Sequence, residues 1–326
     1  MTFCSRAVFR CFKCLERAAD RITGAAGPFF VAIAYTLLTI GAVTFFEVIA
    51  PTLYFRIITI PICILFATNM FAHYYYVCTV APGFANDPAT TLEGNSWLWA
   101  RKRRPRSALQ WSNELNLSAP KYTKCKRCGE HRPERSHHCR ICKRCVLKYD
   151  HHCPVRINQC VGIHNERYFV LFMVYLVVCT FCFSILGWPA LWESFEYFDD
   201  WPHRVPTWTF LLCYILSVVI CLAVAVMCSW HLWSVAKGET TVENHDFEAY
   251  RKLAQSRDDT FVNSFDLGPR RNLELFFNVG PTGYPLYALL LPFRTAPYTD
   301  GRSWVKRDGF DRHKGINDGD EYTDEE

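Results

Sequence analysis

Between Cys125 and Cys160 the chain reads CKRCGEHRPERSHHCRICKRCVLKYDHHCPVRINQC, which places seven cysteines and five histidines within 36 residues. Cys125 and Cys128 form one C-x2-C pair; Cys139 and Cys142 form another that continues to Cys145. Thiol pairs at this spacing, with histidines between them, are the donor set of structural zinc, and two pairs predict two ions. The segment has too few apolar residues to bury a core unaided, so ligation has to supply folding energy. Gly129 and Pro133 suit turns, which predicts short hairpins held by metal. Two tetrahedral sites need eight ligands. The seven cysteines with His131, His137, His138, His151 and His152 exceed that number, so one thiol can be spare. The run Asp150, His151, His152, Cys153 suggests which one. A thiol is a weak nucleophile until an imidazole takes its proton or stabilises the thiolate, and a carboxylate that orients the imidazole completes the arrangement. Adjacency along the chain leaves the spatial pairing open.

The rest of the chain is apolar enough to be a membrane scaffold. Of 326 residues half are hydrophobic and 16% aromatic, more than a soluble core of this size needs, and this excludes disorder. A disulfide-rich secreted module is not expected, because the first residues lack a signal-peptide pattern. Four apolar runs, about Pro28 to Ala50, Ile57 to Val80, Tyr168 to Gly187 and Pro206 to His231, are each long enough to cross about 30 Å of hydrocarbon as helix. Aromatic residues cluster at their ends, as interfacial side chains do.

Charge orients these helices. Residues 79–168 carry 17 Lys or Arg against seven Asp or Glu, whereas 188–205 carry Arg204 alone against Glu193, Glu196, Asp199 and Asp200. The positive-inside rule therefore puts both termini and the Cys/His segment in the cytosol. In that reducing compartment clustered thiols are metal-bound or reactive and not disulfide-bonded. The expected organisation is an all-α polytopic membrane protein. Its parts are a cytosolic N-terminus (1–27), helices one and two (28–80), a linker (81–120), a zinc domain (121–169), helices three and four with a lumenal loop (170–231) and a cytosolic C-terminal region (232–326).

The Asp-His-His-Cys tetrad at 150–153, the C-x2-C-x9-H-C-x2-C-x2-C-x4-D-H-H-C frame before it, and Asn165 and Phe169 after it resemble the DHHC family of protein S-acyltransferases. Ala81-Pro82-Gly83 stands where that family usually has Asp-Pro-Gly. Thr240-Thr241-Val242-Glu243 resembles its Thr-Thr-x-Glu motif, and Asn263 to Gly268 with Asn272 resembles its C-terminal Asn-containing motif. The stretches at 238–245 and 263–277 look most like the subgroup of the human DHHC member sixteen, a reticulum-resident protein.

The resemblance implies two interleaved zinc sites, one from Cys125, Cys128, His138 and Cys145, the other from Cys139, Cys142, His152 and Cys160. It leaves Cys153 outside both sets as acyl acceptor, with His151 as base and Asp150 orienting the imidazole. It also implies palmitoyl-CoA or a related acyl-CoA as co-substrate, cytosolic-facing cysteine-containing proteins as acceptors, the bilayer as partner, and the endoplasmic reticulum membrane, with the Golgi as alternative, as location. No nucleic-acid partner is expected.

One departure stands out. Six residues, Pro154 to Gln159, separate Cys153 from Cys160, where the family usually has five, and Val155-Arg156 stands in place of one Trp. Tolerated variation, a weakened enzyme and an error in the sequence near an exon junction all fit this. The departure motivates the rival reading, a zinc-containing membrane scaffold with weak or absent catalysis.

Other polar residues have simpler readings. Glu47 is expected to snorkel from its helix end, His73 to pack at the interface, and Thr240 with Glu243 to form an i,i+3 pair near a helix end. Cys4, Cys11 and Cys14 are either acylation sites or untouched thiols, and the basic run Arg101 to Arg104 is a solvated or headgroup-facing patch. Protease or thiol-labelling access should place residues near 110 and 300 in the cytosol and near 200 in the lumen; finding 110 and 300 on opposite faces would break the four-span topology.

Overall fold

The computed structural model describes residues 26–88, 115, 117–154, 157–196, 201–281 and 283–317. Most of the expected linker with the basic run, the three N-terminal cysteines, and Val155 and Arg156 lie outside these residues. Four helices are long and apolar enough to cross a membrane: α1 (Ala26–Thr52), α2 (Arg56–Thr79), α3 (Glu166–Leu186) and α5 (Thr207–Ala236). Their starts and ends agree with the four apolar runs to within a few residues, except that α5 continues five residues past His231.

The helix α3 is central, packing against α2 on one side and α5 on the other. Met70, Tyr74 and Val77 of α2 meet Phe169, Phe172 and Leu176 of α3, and Val224 and Cys228 of α5 close the layer. At the helix ends away from the Cys/His segment a second cluster joins Phe45 and Ile49 to Phe183, Phe210 and Tyr214. The last turns of α1 widen into a π-helical stretch at Phe45–Ile49 and then tighten at Ala50–Thr52, where Pro51 removes a backbone donor. A short helix α4 (Trp188–Glu196), absent from the sequence reading, follows α3 directly.

Two polar residues depart from their expected roles. Glu47 does not snorkel: its carboxylate accepts the backbone N–H groups of Arg204 and Val205, the latter at 2.9 Å, and ties α1 to the loop that precedes α5. His73 is fully buried, its ring stacked on Tyr168 and Tyr175 with centroids 6.1 and 5.8 Å away.

The Cys/His segment between α2 and α3 forms three two-stranded antiparallel hairpins: β1 (Tyr122–Lys124) with β2 (His131–Pro133), β3 (His137–Cys139) with β4 (Arg144–Val146), and β5 (His151–Cys153) with β6 (Gln159–Val161). After α5 come α6 (Thr241–Ser256) and α7 (Pro269–Phe277), packed around Phe247, Tyr250, Phe265 and Trp304.

Thr240 and Glu243 open α6 as a capping box. The Thr240 hydroxyl accepts from the Glu243 N–H, and the Glu243 carboxylate accepts from the Thr240 N–H at 2.9 Å. The same carboxylate takes both a 2.6 Å and a 2.5 Å bond from Arg135, which lies between β2 and β3. Arg135 also donates to the Gly238 carbonyl, and its guanidinium lies 4.4 Å from the Phe265 ring and 4.9 Å from that of Trp304.

Burial alone would push the Glu243 carboxyl up, but the facing guanidinium outweighs it and holds the group below its usual range. This contribution to stability is therefore present at neutral pH and is lost as pH falls through the depressed value. Because both charges are buried, removing one strands the other. Glu243→Ala or Arg135→Ala should destabilise the cytosolic region by about 3–5 kcal/mol, read as a lowered thermal midpoint of the purified chain.

Candidate active site and metal centres

Each thiol pair forms a tight knuckle. Gly129 N–H donates to the Cys125 carbonyl and Lys143 N–H to the Cys139 carbonyl, and both residues take positive φ, 75° and 55°. In the second knuckle the Cys142 N–H also donates to the Cys139 sulfur at 3.4 Å, a bond that favours a thiolate.

The knuckles then meet the hairpins that follow them. His138 pairs opposite Cys145 across β3–β4, and His152 pairs opposite Cys160 across β5–β6. Cys125, Cys128, His138 and Cys145 bring one donor atom each to within 4.8 Å of one another, and so do Cys139, Cys142, His152 and Cys160. The closest sulfur pairs, Cys128 with Cys145 and Cys142 with Cys160, are 3.5 and 3.3 Å apart. Thiolates at bond lengths of about 2.3 Å around a tetrahedral ion would sit roughly 3.8 Å apart, so the three thiols and one imidazole of each cluster fit zinc.

The thiols themselves point the same way. Hydrogen bonds with Cys142 and Cys160 push the Cys139 thiol down, while bonds with Cys139 and Cys142, together with burial, push Cys160 up. Such a cluster holds little negative charge without a cation beside it. With Cys3His sets closed at four donors, zinc would be structural and leave no position for a substrate.

Strand alternation separates the two adjacent histidines. Along β5, His152 faces the second metal cluster, so the period of two turns His151 and Cys153 together to the opposite face. There the His151 Nδ1 lies 2.7 Å from the Asp150 carboxylate, and its ring also hydrogen-bonds Cys153. Burial alone would lower His151, but the bonds to Asp150 and Cys153 outweigh it and hold the imidazole up to about 9.

Asp150 is buried and multiply held. Its carboxylate accepts the Thr241 N–H at 2.8 Å, its carbonyl accepts the Thr241 hydroxyl at 2.9 Å, and His231 Nδ1 of α5 lies 3.9 Å away. Against the upward push of burial, the His151 bond, the nearby His231 and the Thr241 N–H keep the carboxyl at about 2. Phe169 of α3 sets its ring edge-on between His151 and His231.

The hairpin is bolted to the membrane helices beneath it. Gln159, paired opposite Cys153, donates to the carbonyls of Val77 and Val80 at the end of α2. Asn165 accepts the Gly162 N–H and donates to the Cys160 and Val80 carbonyls. A buried 2.5 Å pair joins Lys148 to Glu166 at the start of α3. Cys153 itself packs against the core layer that contains Tyr74 and Phe172. Those two residues also line an apolar cavity of about 570 Å³ among α1, α2, α3 and α5, which extends to Phe45, Phe183 and Leu212.

The structure thus brings Asp150, His151 and Cys153 together and collects the other eight predicted residues into two clusters of four. Thr241, His231 and Gln159 were not singled out from sequence as contacts of the site. Thr241 stood within a noted motif, whereas nothing local marks the other two. Of the six residues between Cys153 and Cys160, Pro154, Ile157 and Asn158 lie between the strands and Gln159 opens β6 opposite Cys153, and the His152–Cys160 register is kept.

Residues 119–248 match the model of the family described as DHHC palmitoyltransferase. Among similar proteins, Palmitoyltransferase ZDHHC16A of Danio rerio is 28% identical over 59% of this chain and 61% of its own length. Probable protein S-acyltransferase 15 of Arabidopsis thaliana is 33% identical over 50% and 62%, and Palmitoyltransferase ZDHHC16 of Mus musculus is 30% identical over 55% and 52%. The chain spans less than two thirds of the length of each of these relatives.

Purified protein should contain close to two zinc ions per chain by elemental analysis. Cys139→Ser or His138→Ala should lower that content and unfold the hairpins, because ligation is folding energy here. Cys153→Ser should keep both ions; a comparable loss in that variant would make Cys153 a ligand.

Proposed function

We propose, from the match of residues 119–248 to the DHHC palmitoyltransferase model, that this chain is a protein-cysteine S-acyltransferase that moves a long fatty acyl group from acyl-CoA to thiols of substrate proteins. The observation that carries this reading is the Asp150–His151–Cys153 array on the hairpin face turned away from the metal cluster, beside the core that opens into the apolar cavity. Of the relatives, the two named ZDHHC16A and ZDHHC16 support the subgroup resemblance. On that resemblance we assign the chain to the endoplasmic reticulum membrane, with the Golgi as alternative.

In the proposed mechanism, an imidazole held near 9 keeps its proton through neutral pH and stabilises the Cys153 thiolate. The thiolate attacks the acyl-CoA carbonyl carbon, and collapse of the tetrahedral adduct breaks the bond to the coenzyme A sulfur. That sulfur leaves with the proton from His151, which remains neutral beside the new Cys153 thioester. A substrate cysteine then gives its proton to His151 and takes the acyl group, restoring the starting pair in ping-pong order. Each step exchanges one thioester for another, so positioning and ionisation are what the protein has to provide. Asp150, fixed by Thr241, holds the imidazole in the required tautomer and orientation.

The cavity explains why this chemistry sits on four helices. Its volume lies within the range of ligand pockets, and its lining is almost wholly hydrocarbon and aromatic. At about 0.8 kcal/mol per methylene, keeping a sixteen-carbon chain out of water is worth on the order of 10 kcal/mol. The acyl chain therefore stays in bilayer or protein while the anionic coenzyme A head remains in the cytosol, where Lys and Arg from the sequence 101–167 would supply its basic partners. Zinc supplies folding energy to the hairpins that aim the array.

Incubation with a clickable long-chain acyl-CoA should label Cys153 through a bond that neutral hydroxylamine cleaves, and Cys153→Ser should abolish it once Cys4, Cys11 and Cys14 have been replaced. His151→Ala should slow loading at pH 7 by about 10²–10⁴-fold without loss of zinc. An unassisted thiol ionises near about 8.5, so loading in that variant should climb with pH through that value, while the wild-type rate stays flatter from neutrality upward. A wild-type chain that holds two zinc ions and forms no acyl-enzyme with any chain length would favour the scaffold reading raised by the Val155-Arg156 insertion.

A further inference from the structure

Residues 284–295 read YPLYALLLPFRT, an apolar stretch between prolines and too short to span a bilayer as helix. Apart from one short 3-10 turn at Leu286–Leu289 the segment is irregular, so most of its carbonyls need partners from elsewhere. Those partners are side chains of the membrane-spanning helices. Asn69 of α2 donates to the Leu290 carbonyl at 3.0 Å and Tyr175 of α3 to that of Leu289 at 2.7 Å. Tyr76 donates to the Pro292 carbonyl, and Tyr168 to that of Thr295. Arg167 reaches the Ala288 carbonyl and the Thr295 hydroxyl.

The positions of these donors bracket depth to within a side-chain length, because Arg167 at the start of α3 and Tyr175 further along it reach the adjacent carbonyls of Ala288 and Leu289. At 1.5 Å per residue, Asn69 lies about 15 Å along α2 from its cytosolic end at Thr79, and Tyr175 about 14 Å along α3 from Glu166. Tyr76 and Tyr168 lie only about 5 and 3 Å from the same ends. The chain is therefore deepest at Leu289 and Leu290 and climbs back out through Pro292 to Thr295. The outward side chains at this depth are large and apolar: Leu286 is 67% exposed and Leu290 58%, with Tyr287 and Phe293 also exposed. Some 15 Å below the helix ends, the only medium outside the protein is lipid hydrocarbon.

We infer that residues 284–295 form a re-entrant membrane segment that enters the cytosolic leaflet along α2 and α3 and presents Leu286 and Leu290 to lipid acyl chains. Irregular backbone at that depth is tolerable only if its polar groups are satisfied within the protein, and the donors from Asn69, Tyr76, Arg167, Tyr168 and Tyr175 meet that condition. The segment anchors the C-terminal region to the bilayer independently of the four spans, and the inference holds whether or not the chain transfers acyl groups.

The test places p-benzoylphenylalanine singly at Leu286 or Leu290 of the full-length chain, reconstituted in phosphatidylcholine vesicles, with Ile215 of α5 as lipid-facing reference and Arg127 of the first hairpin as aqueous reference. After irradiation, positions 286 and 290 should give lipid adducts within about twofold of the yield at 215, while 127 stays at background. Fragmentation should map the adducts at 290 to the acyl chains. Yields at 286 and 290 equal to that at 127, or adducts at 290 confined to the headgroup and glycerol, would overturn the inference. As a second measurement, Tyr175→Phe removes the donor to Leu289 with little change in volume and should shift adducts at 290 toward the headgroup; an unchanged acyl-chain pattern with full yield would show that this bond does not set the depth.

Discussion

Four donors must converge on a point at each metal site, and this demand organises the cytosolic half of the protein. Each cluster takes its first two thiols from a knuckle and its last two donors from a cross-strand pair in the next hairpin. The ions would therefore tie three hairpins in series, none of which has enough apolar surface to fold alone. Fixing His152 and Cys160 opposite each other also fixes the register of the last hairpin, and register decides which face each side chain occupies. A slip of one residue would turn His151 toward the metal and His152 toward Asp150. The nucleophilic array is a by-product of ligation geometry as much as a site in its own right.

A second set of constraints comes from the membrane side. The array is held from below by Gln159 and Asn165 on the carbonyls that end α2, and from the side by Thr241 and Glu243 at the start of α6. Within the four residues Thr240 to Glu243, Thr240 and Glu243 cap a helix, Thr241 holds the Asp150 carboxylate and Glu243 neutralises Arg135.

The sequence made some of this legible and hid the rest for definite reasons. The ligand residues stood out because metal coordination constrains spacing over a few residues, and the membrane helices because hydrocarbon demands runs of about 20 apolar positions. Thr241 lies 91 residues from Asp150, and no local periodicity reports such a contact. Glu47 looked like an interfacial carboxylate because its partners, two backbone N–H groups of a distant loop, have no residue type to advertise them. His73 was placed at the interface for its aromatic neighbours, yet those on α3 are the ones that bury it. The segment at 284–295 escaped a reading based on span length because it needs donors from two helices to exist at all.

Only five residues separate Cys160, the last of the predicted metal donors, from Glu166, where α3 begins, and Asn165 bolts that short link to both sides. The height of Cys153 above the hydrocarbon is therefore set rigidly, with no slack for the hairpin to lift toward a distant target. If the chain transfers acyl groups as proposed, a partner would be chosen by reach. A thiol whose tether brings it to that fixed plane would be presented at high local concentration, whatever its flanking residues, and a thiol held further from the membrane would be excluded. Selectivity would then reside in the address of the target and the length of its leash, and a weak, transient membrane contact next to a cysteine would count for more than a consensus sequence around it.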